Sequence, residues 1–157
     1  MDNLNQQLFN AARTGDITTL KSLITQNANI NVQDAKGYTP LIIASYNNQP
    51  EAVQLLLDAG ADVNLPDYGG NTALMGVCFK GYPQIAEMLI AHGAGLNLQH
   101  GNGGTALMFA VLFGRNELAK IVLKHGADKS IREYRGLTAL DLAVQQGNIE
   151  AVDLLAI

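Results

Sequence analysis

Apolar residues in this chain fall into short blocks separated by polar turns, and the blocks recur every 33 residues. Within residues 34–66, the apolar positions of 41–47 predict one short helix, and those after Pro50 predict a second. Thr39 precedes the first helix as a side-chain cap, and Pro40 occupies its first turn, where no amide partner is missed. The pattern therefore predicts an all-α chain built from pairs of short helices joined by turns.

The same apolar positions recur in phase along the whole chain. One position of the first helix is always leucine, at Leu8, Leu41, Leu74, Leu107 and Leu140. One position of the second helix is always aliphatic, at Leu23, Leu56, Leu89, Val122 and Leu155. A 33-residue unit is too small to bury its own apolar face, so this phase predicts a continuous core between neighbouring units.

We expect a single repeat domain over residues 1–157, divided at the recurring turns. Its predicted units are an N-terminal capping unit at 1–33, internal units at 34–66, 67–99 and 100–132, and an incomplete last unit at 133–157. The first unit is rich in polar residues, which suits a terminal repeat whose outer face meets water.

The motif Gly-x-Thr-Pro-Leu at residues 37–41, the motif Gly-Ala-Asp at 60–62 and the 33-residue spacing resemble the ankyrin repeat. The resemblance covers the whole chain and is strongest over residues 34–128. It implies an all-α repeat solenoid in which antiparallel helix pairs stack side by side and β-turn loops project from them. It also implies a non-catalytic module that binds another protein through its concave inner-helix surface and its turn tips.

The chain departs from the family pattern in two places. The histidine that follows Thr-Pro-Leu in the family is replaced here by Ile42, Met75, Met108 and Asp141, so we expect its hydrogen bonds to the nearby threonine to be absent. The last unit stops inside its second helix. We therefore expect Leu154, Leu155 and Ile157 to be partly uncovered.

Composition and charge narrow the class of partner. Hydrophobic residues make up 48% of the chain and charged residues 15%, which is typical of a folded protein. No run of about 18 apolar residues occurs, so we expect no membrane insertion. A net charge of -4 makes nucleic acid an unsuitable partner. The first residues do not resemble a secretory signal, and we expect a cytoplasmic protein, although a removed signal would leave no trace in this sequence.

Residues with reactive side chains are few. Cys78 is the single cysteine and occupies a small-residue position of the repeat, so we interpret it as a packing residue. His92 and His125 lie one repeat apart, and we favour helix-end residues over a metal pair. No set of side chains suited to catalysis stands out, and we expect neither an enzyme nor a bound cofactor or metal.

The family resemblance places partner contacts at the turn tips and at the ends of the first helices. At the turn tips these positions hold Tyr38, Tyr68, Asn71, Asn102, Tyr134 and Arg135. At the helix ends they hold Tyr46, Phe79, Lys80, Leu112 and Phe113. Met75 and Met108 lie on the same helices and are candidates for an adaptable extension of this surface.

Two interpretations of the aromatic helix ends stay open in the sequence. The rings form an exposed recognition stripe, or they fold down and fill gaps between units. A further alternative is a structural role, in which the chain self-associates weakly through its last unit rather than staying a monomer. A continuation into further repeats beyond Ile157 fits the same pattern.

Overall fold

The computed structural model describes residues 3–157, and all the regular secondary structure in that range is helical. The helices are α1 Asn3–Thr14, α2 Ile17–Thr25, α3 Pro40–Tyr46, α4 Pro50–Asp58, α5 Ala73–Lys80, α6 Pro83–Ala91, α7 Ala106–Leu112, α8 Asn116–Lys124, α9 Ala139–Gln146 and α10 Ile149–Leu155. No helix of the described range has the length and apolar character that a membrane crossing requires. The predicted all-α class is confirmed.

The helices form two layers. The odd-numbered helices pack on one another in chain order as an inner row, and the even-numbered helices form an outer row beside them. Each inner helix also packs on the outer helix that follows it, so every predicted unit contains one helix pair. Because each pair touches only its neighbours, the molecule is a solenoid.

A threonine starts each inner helix from α3 onward. Its hydroxyl oxygen accepts a hydrogen bond from the backbone N–H three residues later, as at Thr39 from Ile42 at 3.1 Å. The equivalent bonds at Thr72, Thr105 and Thr138 measure 3.3, 3.3 and 3.2 Å. These caps satisfy amides that have no partner inside the helix, so they fix where each inner helix begins.

We expected the hydrogen bonds between the family histidine position and the nearby threonine to be absent, but two of the four replacement residues form such a bond. The Asp141 carboxylate Oδ2 accepts from the Thr138 backbone N–H at 2.9 Å, which completes a reciprocal cap. The Met75 sulfur accepts from the Thr72 backbone N–H at 3.4 Å in the same way. Other acceptors of suitable length therefore take the place of the imidazole.

The core lies in the seams between units. Leu8, Leu41, Leu74 and Leu107 are between 0% and 2% exposed, as the phase of the leucines predicts. Leu140, in the last unit, is only half-buried. Leu140 is more exposed than the other four leucines because α9 belongs to the last unit, and no further described helix pair packs against it.

The predicted opening at the last unit is present for two of the three expected residues. Ile157 is 94% exposed and Leu154 is half-buried, but Leu155 is 4% exposed, so the expectation that it is uncovered is wrong. Val144 at 61% and Ile149 at 75% are also exposed, which was not expected. Val144 occupies the repeat position at which Ala12, Ser45, Cys78 and Val111 are buried against the following unit.

Neighbouring turn tips are tied together by their backbones. The Tyr68 N–H donates to the Lys36 carbonyl at 3.0 Å, and the same bond recurs from Gly101 to Gly69 at 2.9 Å and from Tyr134 to Asn102 at 3.0 Å. Gly37 has a φ of 83°, and a Cβ atom there would lie 2.5 Å from the Tyr68 nitrogen. Glycine is thus required for the first two tips to approach each other.

Candidate functional site

A long depression lies between the inner helices and the turn tips. Its first hollow measures about 690 Å³ and is bordered by residues that include Tyr38, Ile43, Tyr46, Gly76, Phe79 and Phe109. Its second hollow measures about 370 Å³ and is bordered by residues that include Asn102, Phe109, Leu112, Phe113, Tyr134 and Arg135. Phe109 borders both hollows, so we treat them as one inner groove.

Three aromatic rings from successive inner helices touch one another along the groove. The rings of Tyr46 and Phe79 are stacked, with centroids 6.1 Å apart and an interplanar angle of 23°. The rings of Phe79 and Phe113 meet edge to face, with centroids 4.5 Å apart. We call these three residues the ring ladder.

The ring ladder remains open to solvent although its members pack together. Tyr46 is 40% exposed and Phe113 is 49% exposed, while Phe79 and the neighbouring Leu112 are half-buried. Each ring therefore packs against the next and still presents apolar surface, and recognition by this stripe stays a prediction. Such a row of contacting rings is already ordered before anything binds to it.

Met75 and Met108 do not extend this surface, contrary to expectation. Each borders a hollow but is only 2% exposed, so it adds almost no accessible surface to the groove. Both lie in the first turn of an inner helix, three residues after its capping threonine. At Met75 the sulfur also serves as the reciprocal cap of Thr72.

A second row of groove residues was missed in the sequence. Ile43, Gly76, Phe109 and Leu142 share one repeat position, three residues before the helix-end position of Tyr46 and Phe79. All four border the groove. The 33-residue register could have revealed this row, since residues three apart on a helix share a face, but the family resemblance directed attention to the turn tips and the helix ends.

The predicted tip residues differ in exposure. Tyr68 and Tyr134 are 70% and 74% exposed, whereas Tyr38 is half-buried against the first hollow. Asn102 is exposed at the second hollow. Tyr68 borders neither hollow and stands beyond the rim of the groove.

Two other predicted site residues already have partners inside their own turns. The Asn71 side-chain amide donates to the two Asp67 carboxylate oxygens at 3.2 and 3.3 Å. The Arg135 Nε donates to Glu133 Oε2 at 2.8 Å. Both residues border the groove, but each also holds its turn in shape.

The acidic residues at the base of the turns are occupied by backbone N–H groups. Asp34 Oδ1 accepts from the amides of Lys36 and Tyr38, each at 2.9 Å. Asp67 Oδ1 accepts from Gly69 and Asn71, again at 2.9 Å. In the fourth unit His100 Nδ1 takes this role and accepts from the Gly104 N–H at 2.9 Å.

The same arrangement at Glu133 influences its ionisation. Burial acts to raise the pKa of Glu133, but the hydrogen bonds from Arg135 and from the Leu137 N–H outweigh it. The pKa of Glu133 therefore lies below its ordinary value, because the charged carboxylate is the form that accepts these bonds.

Charged side chains of both signs border the first hollow, where Asp34 and Asp67 lie beside two basic residues. Arg13 and Lys36 border it, and the Lys80 ammonium lies 5.0 Å from the centroid of the Tyr46 ring. The ion pairs found among residues 3–157 are His92–Asp58, Lys120–Glu150, His125–Glu87 and Arg135–Glu133. None of the three cations at the first hollow pairs with a carboxylate in that part of the chain.

The remaining reactive side chains lie away from the groove. Cys78 is buried, and burial raises the pKa of its thiol to about 12, so the thiol stays protonated. His125 Nε2 lies 3.1 Å from Glu87 Oε1, and His92 Nε2 lies 3.8 Å from Asp58 Oδ1. Within residues 3–157, no three His, Cys, Asp or Glu side chains form a group that could hold a metal ion.

Comparison with known proteins agrees with this geometry. A family model described as Ankyrin repeats (3 copies) matches residues 8–100 and 77–157. A stretch of 54 residues, 34% of this chain, is 44% identical to the Ankyrin repeat domain-containing protein SAT10 of Stachybotrys chartarum (strain CBS 109288 / IBT 7711). A stretch of 49 residues, 31% of the chain, is 35% identical to the human Ankyrin repeat and SOCS box protein 3.

These two relatives are far longer than the segments they share with the chain. The matched stretches cover 3% of the fungal protein and 10% of the human protein. The family model, in contrast, spans nearly the whole chain with its two overlapping matches. This match, together with the phased leucines, the threonine caps and the stacked helix pairs, shows that the chain belongs to the ankyrin repeat family.

Proposed function

We propose that the protein is a non-catalytic module that binds another protein through the inner groove and the turn tips. The chain belongs to the ankyrin repeat family, and ankyrin repeats are in general protein-binding modules. The observation that supports this surface in particular is the ring ladder, whose outer members Tyr46 and Phe113 are 40% and 49% exposed.

The ring ladder suits binding for an energetic reason. Aromatic side chains bury much apolar area per residue and dominate the energetics of many interfaces. The rings of Tyr46, Phe79 and Phe113 already contact one another, so a partner would restrict little side-chain freedom in covering them. Their contact with solvent is, in the free protein, an unfavourable exposure that a bound partner relieves.

The turn tips supply the second part of the proposed surface. Tyr68 and Tyr134 are largely exposed, yet their backbone N–H groups are anchored to the preceding tips. A tyrosine on a fixed backbone offers an apolar ring and a hydroxyl at a defined place. The tips would therefore set specificity, while the ring ladder supplies affinity.

The non-catalytic part of the proposal rests on the state of the reactive groups. The Cys78 thiol is buried and protonated, and His92 and His125 sit beside carboxylates on the outer layer rather than in the groove. The acidic charge of the chain argues against nucleic acid as the partner. A cytoplasmic location is part of the proposal, supported by a lone cysteine without a disulfide.

Affinity capture with matched variants tests the proposed surface. The wild-type chain and the double variant Phe79→Ala with Phe113→Ala are used as baits in extract from the source cells. The double variant is expected to retain less of the same partner. Ile149→Ala, at a residue 75% exposed on α10, is the control and should capture as much as the wild type.

Thermal melting of the same baits decides between recognition and packing. A midpoint within a few degrees of the wild type, combined with lost capture, supports recognition. Unchanged capture with a midpoint lowered by several degrees would show that the rings act as core and would overturn the proposal.

Self-association is a second candidate, favoured by the open face of the last unit. Val144 and Ile149 are 61% and 75% exposed in the last unit, which no further described unit covers. Light scattering at two concentrations distinguishes the cases. A mass that doubles with concentration and returns to one chain in Val144→Gln supports a dimer through this face, and a constant single-chain mass contradicts it.

A further inference from the structure

The inner groove contains one position without a side chain. Ile43, Phe109 and Leu142 fill their repeat position with bulky apolar groups, and Gly76 leaves the same position empty in α5. Glycine is among the least favourable residues inside a helix. A Cβ atom at Gly76 would meet one neighbour within 4 Å, Tyr46 Cδ1, at a tight 3.3 Å, so the Tyr46 ring would have to shift by a few tenths of an ångström to admit it.

The missing side chain produces a socket in the floor of the first hollow. Ile43, Tyr46, Phe79 and Phe109 border it together with Gly76, and we call this set the Gly76 socket. Its walls are apolar, and Met75 beside it is 2% exposed. The surrounding hollow of about 690 Å³ is larger than any one side chain, so there is room for the residues on either side of an inserted one.

The charges around the socket indicate the chemistry of the chain that enters it. Arg13 and Lys36 border the first hollow, and the Lys80 ammonium lies 5.0 Å from the centroid of the Tyr46 ring beside it. None of the three forms an ion pair with a carboxylate among residues 3–157. Asp34 and Asp67 border the same hollow, but Oδ1 of each already accepts hydrogen bonds from two turn amides, which offsets part of their charge. Negative charge elsewhere is concentrated on the outer layer, at Glu51, Asp58, Glu87, Glu117, Glu150 and Asp153.

We infer that the Gly76 socket receives one bulky apolar side chain from an acidic, extended segment of a partner protein. The inference rests on the proposed function, because it specifies what the first hollow of the inner groove binds. The inserted side chain is aliphatic or aromatic, since four apolar residues enclose it. Carboxylates beside it in the segment meet Arg13, Lys36 and Lys80, none of which forms an ion pair among residues 3–157.

The experiment uses a displayed library of random peptides, each about 12 residues long, selected on the purified full-length chain. The enriched peptides are expected to share one Leu, Met, Phe or Trp flanked by Asp or Glu. Their affinity should fall about 10- to 100-fold in Gly76→Leu, because the new side chain occupies the space that the inserted one would fill. Raising the salt concentration should also weaken them, as expected of exposed charge pairs.

Three matched variants separate the possible outcomes. Gly76→Ala adds one methyl group and should lower affinity less than Gly76→Leu, with a melting midpoint no lower than the wild type. Lys36→Gln removes one rim charge and should weaken binding by a few-fold while reducing the salt dependence. Phe113→Ala changes the ring ladder outside the first hollow and so tests the groove as a whole.

Each result counts for or against the inference. Peptides that lose affinity in Phe113→Ala but bind Gly76→Leu as well as the wild type would overturn the socket and leave the proposed function standing. Peptides unaffected by both variants would overturn both. Enrichment of basic peptides, or no enrichment at all, would overturn the assignment of an acidic apolar segment.

Discussion

The ring of Phe113 meets the ring of Phe79 nearly at right angles, with 4.5 Å between centroids and an interplanar angle of 78°. The two residues come from successive units but not from the same repeat position, since Leu112 is the equivalent of Phe79. Phe113 follows the last residue of α7 as its C-cap, with a φ of -103°. Leaving the helix one residue after Leu112 places this ring beside Phe79.

The Phe79–Phe113 contact should be measurable as a coupling free energy. Edge-to-face pairs contribute about 0.5–1.5 kcal/mol beyond their buried area. Urea unfolding of Phe79→Ala, Phe113→Ala and the double variant should therefore give losses that differ from additivity by about that amount. The pair Phe79→Ala with Ile149→Ala is the control, and full additivity in the aromatic pair would show that the contact does not stabilise the fold.

Leu74→Ala should destabilise the chain strongly, because its side chain is 1% exposed in the seam between units. Removing a buried leucine side chain leaves a cavity and costs about 2–5 kcal/mol. Leu98→Ala, at a residue 40% exposed, is the control and should cost much less. The free energies of unfolding come from urea titration, and equal losses in the two variants would contradict an inter-unit core at Leu74.

Gly37→Ala and Gly136→Ala separate backbone strain from a steric clash. The two glycines share a repeat position and have φ values of 83° and 85°. A Cβ atom at Gly136 meets nothing within 4 Å, whereas at Gly37 it would lie 2.5 Å from the Tyr68 nitrogen. Gly136→Ala should cost about 1 kcal/mol for the left-handed backbone alone, and Gly37→Ala about 2–5 kcal/mol.

Urea unfolding measures both glycine variants. The difference between the losses in free energy of unfolding measures the steric cost of adding a methyl group where the first two turn tips approach each other. Equal losses would mean that the tips separate easily and that the Tyr68–Lys36 hydrogen bond does not hold them.

Cys78 should react with iodoacetamide only when the protein unfolds. Burial raises the pKa of its thiol to about 12, so the reactive thiolate is scarce at neutral pH. Alkylation of the folded chain should be on the order of 1,000-fold slower than that of a free cysteine. The rate is followed by mass spectrometry, with urea-unfolded chain as the control, and rapid labelling of the folded chain would contradict the buried position.

Acid should weaken the cap at Asp141. Hydrogen bonds from the Thr138 backbone and from its side chain hold the pKa of Asp141 below its ordinary 3.8, and the charge of Arg132 acts in the same direction. Because the folded-state pKa is the lower one, the carboxylate stabilises the fold above pH 3.8 and loses this effect as the pH falls through the lowered value. Asp141→Asn should therefore be less stable than the wild type at neutral pH, and the gap should narrow at about pH 2.

Urea unfolding at the two pH values checks this prediction. Asp153→Asn, at an exposed residue of α10, is the control. A gap between wild type and Asp141→Asn that stays constant with pH would show that the charge of Asp141 is not what stabilises the cap.

Much of the candidate site was predicted by carrying the contact positions that the family resemblance implies onto the 33-residue register. The register placed Tyr46 and Phe79 at equivalent helix ends, and it placed the turn residues Tyr38, Tyr68 and Tyr134 along one side of the chain. It did not reveal which of these side chains have other tasks. Asn71 and Arg135 hold their own turns through Asp67 and Glu133, which depends on side-chain rotamers rather than on spacing.

The sequence by itself determined the architecture, because its signals are local and repeated. Short apolar helices and leucines in phase are read from a single unit and hold for each of the others, and the threonine caps recur from the second unit onward. Glycine at 37, 70, 103 and 136 likewise predicts a turn from the residue type alone. These features depend on neighbours within a few residues along the chain.

Only the tertiary structure decided which surfaces are open. It buried Met75 and Met108, left Phe113 half-exposed, and placed Gly76 together with Ile43 and Phe109 at the first hollow. Each of these outcomes depends on side chains from a neighbouring unit, 33 residues away or more, that fill or leave empty the space beside a given residue. The exposure of a side chain is a property of that packing, whereas the helix that carries it is a property of the local sequence.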